Sequence, residues 1–336
     1  MKQRTITIFL ILLTLSSASA QQNFFPILGG QRAGTSVFTF LKIGVGARAV
    51  GMGEAVVALN QDATALYYNP AAVSQLEKTQ LSAARVQLPA EIYYDFMGIS
   101  RHISGRHYLG FSAGILHMAP MEETTELMPH GTGNYFVYQD RFLALTYSTA
   151  LSDRFSFGVT IKHVSENLAG NLMETVMMDL GTFYWTGYKT LRFSAVLSHF
   201  GPNAKPDGTY IRRVLDHDTG EEDEIESEFE AFSPPTVFRV GTAMEVIELK
   251  NHRLTLAGQL NHPVDNAENI SLGAEYWFLN TLALRGGYKL NKEEENFSLG
   301  VGLYLPAGPF KLRADYSYTN QTHLTNPERL SIGLVF

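Results

Sequence analysis

The chain has 336 residues, with 26 Lys and Arg against 33 Asp and Glu, a formal net charge of −7, 45 % hydrophobic and 12 % aromatic residues, and no cysteine. The lack of cysteine excludes disulfides, thiolate metal sites and a cysteine nucleophile together. The acidic balance argues against a nucleic-acid partner.

Lys2 and Arg4 precede an apolar stretch from Ile6 to Leu15, which runs into Ser16-Ser17-Ala18-Ser19-Ala20. These have the form of the n-region, h-region and Ala-x-Ala cleavage site of a signal peptide, so residues 1–20 are expected to be removed after Ala20. The stretch is too short for a membrane helix, which needs roughly 20 apolar residues. No later window is uniformly apolar for that length.

Residues 21–78 form a Gly-rich segment with two motifs. The first runs Phe40-Leu41-Lys42-Ile43-Gly44-Val45-Gly46-Ala47-Arg48-Ala49-Val50-Gly51-Met52-Gly53-Glu54-Ala55, and the second runs from Asp62 through Tyr67-Tyr68-Asn69-Pro70-Ala71 to Val73. Good helix formers from Ala47 to Leu59, broken by Gly51 and Gly53, predict a short helix packed closely on a wall. Asn69-Pro70 is a turn signal, because proline fixes its own φ and restricts the residue before it. The glycines do not match Gly-x-Gly-x-x-Gly and no Gly-Lys-Ser/Thr occurs, so a nucleotide loop is set aside. Gly44, Gly46, Arg48, Gly51, Gly53, Asp62, Asn69 and Pro70 are read as the signature of a plug inside a lumen.

Residues 79–336 carry about fourteen alternating segments, predicted at 79–88, 94–103, 107–118, 142–151, 154–168, 173–185, 190–200, 236–248, 253–263, 269–279, 282–290, 296–305, 310–319 and 329–336. In the last, Leu330, Ile332, Leu334 and Phe336 share one face. An even number of such segments behind a secretory signal predicts an all-β fold, a transmembrane antiparallel β-barrel. Arg154, Lys162, Arg239, Glu245, Glu275, Arg285 and Lys289 would cost about 2–4 kcal/mol each facing lipid if Arg or Lys at the midplane, and are expected to line the lumen. Connections alternate between short turns and long loops, notably 119–141 and 202–235. That rhythm puts the short turns and both termini in the periplasm. A water-soluble sandwich also alternates, but explains neither this rhythm nor the terminal Phe336.

The two N-terminal motifs resemble the start of the PorV/PorQ family of outer-membrane proteins, which is related in architecture to the FadL transporters of hydrophobic compounds. The resemblance implies a fourteen-stranded, FadL-like barrel with its N-terminal segment inside. It also implies a non-enzymatic, accessory role in type IX protein secretion and surface attachment, in which loops bind the translocon or secreted cargo. The alternative is a FadL-like channel for small hydrophobic molecules, with the plug as gate and an apolar pocket in the lumen.

Several smaller signals fit this frame. Gly110-Phe111-Ser112-Ala113-Gly114 has the spacing of a hydrolase elbow, but lies mid-strand, where Ser112 is expected to be a small lumen-facing residue. His102, His107, His117, His163 and His199 are placed near strand ends at the membrane interface, and no metal or cofactor is expected. The loop from Asp216 to Glu230, including Glu221, Glu222, Asp223 and Glu224, reads as a solvated acidic loop or a cation-bridged contact with lipopolysaccharide. Asp216-His217-Asp218-Thr219-Gly220 falls short of an EF-hand loop because its glycine comes early. Met121, Leu127, Met128, Tyr135, Phe136 and Tyr138 form an adaptable apolar loop, suited either to a protein partner or to folding over the barrel mouth.

Overall fold

A computed structural model of the protein describes residues 34–59, 62–76, 78–215, 222–292 and 294–336. The expected signal peptide and its cleavage site lie outside the described residues. Within them, fourteen strands close into one antiparallel barrel. The wall consists of β1 (Gln80–Gln87), β2 (Tyr93–Ser104), β3 (His107–His117), β6 (Tyr138–Ala150), β7 (Phe155–Leu168), β8 (Asn171–Trp185), β9 (Arg192–Phe200), β12 (Val237–Leu249), β13 (His252–Pro263), β14 (Asn269–Phe278), β15 (Leu282–Leu290), β16 (Phe297–Ala307), β17 (Phe310–Asn320) and β18 (Glu328–Val335). Closure runs through β1 and β18, from Gln80 opposite Val335 to Gln87 opposite Glu328. A single closed sheet leaves no strand edge unpaired, which rules out the sandwich. Two hairpins stand off the wall: β4 (Met121–Glu122) with β5 (Tyr135–Phe136), and β10 (Thr209–Leu215) with β11 (Glu222–Glu228).

The period of two decides what each face does. Outward, Leu143, Leu145, Ile161, Val176, Leu272, Leu284, Leu299, Leu303, Leu330 and Ile332 are exposed around the circumference, a belt suited to lipid. Inward, Lys162, Glu275, Arg285 and Lys289 are buried, and Arg239 and Glu245 also face the lumen. Ser112 is buried on the lumen face of β3, as the alternation requires.

Three expectations about the placement of wall residues need correcting. Arg154 is not a lumen residue: it is exposed in the short turn between β6 and β7, where turn geometry replaces the alternation. His199 is not at an interface, being 1 % exposed inside the barrel. It adopts a left-handed φ of 60° at an irregularity in the β8–β9 ladder, so the strand no longer points it outward. Finally, β6 begins at Tyr138 rather than 142, because Gln139 pairs with both His117 and Asn167 and extends the ladder.

The described part of the N-terminal segment, residues 34–59 and 62–76, occupies the lumen. Ser36 bridges to Ser233 at the long-loop end, and the chain then descends to Gln75, near the short turns, before β1 begins. Strand parity therefore fixes where the wall starts and ends, not where the plug begins. The helix expected over 47–59 is realised only as Ala47–Gly51. Beyond it the backbone N–H groups of Gly53, Val56 and Val57 donate to wall side chains, Ser298 at 3.2 Å and Gln259 at 3.1 Å for each valine. Those wall acceptors compete with helical carbonyls for the same donors.

Candidate functional site

The candidate site is the contact between plug and wall, with a cavity on either side. Glycines set how close the plug can come. Gly51 lies against the backbone of Gly300 on β16, and a Cβ there would sit 3.0 Å from its Cα. Gly53, at a left-handed φ of 63°, lies against the backbone of β14 and β15. Gly44 leaves room for the Glu54 carboxyl, and Gly46, at φ 78°, for the Thr64 side chain. On the opposite wall, Gly158 and Gly181 open a recess that Asn69 and Pro70 fill. Asn69 caps the turn Pro70–Gln75 by accepting from Ala71 N at 2.9 Å, and its amide donates to Val57 O at 2.7 Å and to Thr182 O at 3.2 Å.

Charges fasten the same contact. Arg48 donates to both oxygens of Glu275 at 2.8 Å, and Arg285 donates to Glu275 at 2.7 Å and to Asp315 at 2.7 Å. Arg313 reaches Asp315 at 2.8 Å and Asp62 at 3.0 Å, while Asp62 lies 3.6 Å from Arg48. Three arginines and three carboxylates thus form one neutral ring, two members from the plug and four from the wall. Burial alone would raise the Asp62 carboxyl, but Arg313 and Arg48 outweigh it and hold the group below its ordinary value. Nearer the long loops, Lys289 pairs with Glu54 at 2.5 Å, and Lys42 pairs with Asp265.

The structure therefore brings Gly44, Gly46, Arg48, Gly51, Gly53, Asp62, Asn69 and Pro70 into one plug–wall interface. Their wall partners Glu275, Arg285, Asp315, Arg313, Gly158, Gly181 and Gly300 carry no sequence motif of their own. A signal for the carboxylates existed: charges at inward positions of β14, β15 and β17 must be neutralised.

The predicted loop residues are elsewhere and apart. Met121, Tyr135 and Phe136 belong to the β4–β5 hairpin, and Leu127 and Met128 are exposed at its tip, Leu127 at 92 %. Tyr138 departs from this group: it lies in β6 and donates to Asp140 at 2.6 Å. Of the acidic loop, the described residues Glu222–Glu228 form β11, in which Glu224 accepts from Arg213 of β10 at 3.2 Å, so part of its charge is neutralised across the strands. Glu221 lies outside the described residues, and Glu222 and Asp223 are placed in β11 by their backbone.

The lumen is divided in two. A cavity of about 400 Å³ at the long-loop end includes Lys42, His199, Arg239, Asn261 and Lys292 in its lining. One of about 510 Å³ at the short-turn end includes Trp185, Arg192, Arg253, Trp277 and Tyr304. Between them, beside Arg48 and Asp62, lie small voids of about 20 and 10 Å³. Beside the long-loop cavity, Phe38, Phe40 and Leu41 pack into an apolar cluster with Tyr94, Phe96, Phe142, Met173 and Met177. Among the described residues no group of three or more His, Asp or Glu is placed to hold a metal ion.

No protein-family model matches the chain, and no curated protein matches it. Its fold resembles that of the P. putida toluene transporter TodX, at 13 % identity and a TM-score of 0.56, over 87 % of this chain and 97 % of that one. It is also similar to a Pseudomonas aeruginosa FadL homologue, at 10 % identity and a TM-score of 0.51, over 88 % and 98 % of the two chains. At these identities the likeness is one of fold: a FadL-like barrel.

Proposed function

We propose that the chain is a plugged outer-membrane channel for small hydrophobic molecules, with its short turns in the periplasm. The observation that carries this reading is the apolar niche beside the long-loop cavity. Phe38, Phe40 and Leu41 of the plug fill it, against aromatic and methionine side chains of β2, β6 and β8. A segment that fills an apolar niche with its own side chains can be displaced by a ligand that offers the same surface. TodX, described as a toluene transporter, shares the architecture and supports this reading. The test is entry of radiolabelled toluene into proteoliposomes. Wild type should outpace empty vesicles, and Phe38→Ala with Phe40→Ala should change the rate. Entry no faster than through empty vesicles overturns the reading.

A second reading, an accessory role in secretion, is favoured by the β4–β5 hairpin, whose tip exposes Leu127 and Met128. Surface proteomics of a deletion strain tests it. Loss of secreted proteins from the surface supports docking of a protein partner, and an unchanged surface set removes that reading.

A further inference from the structure

The short-turn cavity holds two buried donors that lack an acceptor. Trp277 on β14 lines this cavity and is 6 % exposed, and its indole Nε1 has no partner among the described residues. Arg253 on β13 is its cross-strand neighbour, with the guanidinium carbon 5.5 Å from the indole centroid. Its Nε is also buried without a partner among the described residues. A buried donor without an acceptor is destabilising, so two side by side on one cavity wall call for an acceptor. Neither group can accept, and the indole carries no charge, so the matching ligand brings oxygen lone pairs.

The surroundings narrow the choice. Glu248 lies opposite Arg253 in the ladder, yet makes no ion pair with it among the described residues. Glu245 is committed to Arg192 at 2.6 and 2.8 Å. The lining carries five cations, Lys78, Arg192, Arg253, Lys311 and Arg313, against those two carboxylates. The same wall is aromatic. Tyr304 meets Trp277 edge to face at 6.1 Å, and Lys311 lies over the Tyr304 ring at 5.9 Å. A carboxylate suits a guanidinium edge beside an indole N–H, and a flat ring suits the adjoining aromatic faces. A cavity of about 510 Å³ is within the size of small-molecule sites.

We propose that the Arg253–Trp277–Tyr304 wall binds a small aromatic carboxylate at the short-turn mouth. The inference deepens the channel reading and takes its biological meaning from it. Arg253 and the Trp277 N–H hold the carboxylate, Tyr304 and the Trp277 ring hold the apolar body, and Lys311 adds long-range attraction.

The experiment uses the full chain purified in detergent. The chain has two tryptophans, Trp185 and Trp277, so Trp185→Phe leaves Trp277 as the sole reporter. Sodium benzoate, sodium acetate and benzyl alcohol are titrated against tryptophan fluorescence, with calorimetry on wild type. Benzoate should bind saturably, at least tenfold more tightly than acetate or benzyl alcohol. Arg253→Gln should weaken benzoate at least tenfold, and Arg253→Lys should recover part of the loss, with heat-modifiable gel mobility confirming folded barrels. Equal binding of acetate or of benzyl alcohol overturns the proposal, as does no saturation or an unchanged Arg253→Gln. Equilibrium binding needs no flux. Failure here leaves the toluene result untouched, and binding without toluene entry sinks only the channel reading.

Discussion

Arg48, in the plug, places Nε and Nη2 on the two oxygens of Glu275, in the wall, each at 2.8 Å. This is the fork-to-fork geometry in which a guanidinium and a carboxylate match best. Arg285 shares the same carboxylate, so Glu275 is the point where plug and wall charges meet. Removing one partner of a buried pair leaves the others uncompensated, at a cost of about 3–5 kcal/mol. Glu275→Gln should therefore lower the thermal unfolding midpoint and raise single-channel conductance in planar bilayers. Unchanged conductance with an unchanged midpoint would mean that the ring does not hold the plug.

Packing at Gly53 sets a second constraint. A Cβ added there would lie 3.0 Å from Tyr288 N, 3.1 Å from Leu272 O and 3.2 Å from Gly287 Cα, all backbone. Its φ of 63° adds strain for any side chain. Gly53→Ala should destabilise by more than about 1 kcal/mol. Gly286→Ala, where nothing lies within 4 Å, should be close to neutral. Denaturant melts of both variants compare them directly, and equal midpoints would refute the close-approach account.

Asn69 tests the recess on the other wall. Its amide nitrogen donates to Val57 O and Thr182 O, while its Oδ1 accepts from Ala71 N. Asn69→Asp keeps the cap acceptor but turns the donor into an oxygen facing two carbonyls. Asn69→Ser keeps a cap without that repulsion. The aspartate should be the less stable by at least about 1 kcal/mol, the scale of an unmatched buried polar group. A serine as damaging as the aspartate would show that the amide bonds to Val57 and Thr182 dominate.

The wall was legible in sequence because its alternation is enforced twice, by lipid outside and by a polar lumen inside. All fourteen wall strands fall within a few residues of expectation, β15 at the same bounds. Legibility fails where one constraint lapses. Arg154 sits in a turn, and His199 sits at a ladder irregularity, where period two no longer assigns a face. The plug signature was visible as glycines, Arg48, Asp62 and Asn69-Pro70, but its partners were not. Glu275 and Gly181 look like any other inward residue until the fold brings the plug against them. The two short hairpins escaped because β4 and β5 have two residues each and β11 is mostly acidic.

Orientation can be read chemically, since the chain has no cysteine. Single cysteines at Leu127, on the exposed hairpin tip, and at Gly308, in a short turn, would report opposite ends. With short turns in the periplasm, Leu127→Cys on intact cells should react with a membrane-impermeant maleimide and Gly308→Cys should not. Labelling of Gly308→Cys alone would invert the barrel.

Acid should loosen the plug through Asp62. Burial raises its carboxyl, but Arg313 and Arg48 prevail and its folded value lies below the ordinary one. A depressed carboxylate stabilises above its unfolded value of about 4, and that contribution is lost as pH falls through the folded value. Protonation would also break the ring's neutrality, leaving three arginines facing two carboxylates. Wild-type conductance should therefore be flat from neutral pH down to about 4 and rise below it. Asp62→Asn should already be open at neutral pH and lose the acid-dependent part of the rise. A variant that keeps the full acid response would move the sensor to another carboxylate, with Glu54 beside Lys289 the next to test.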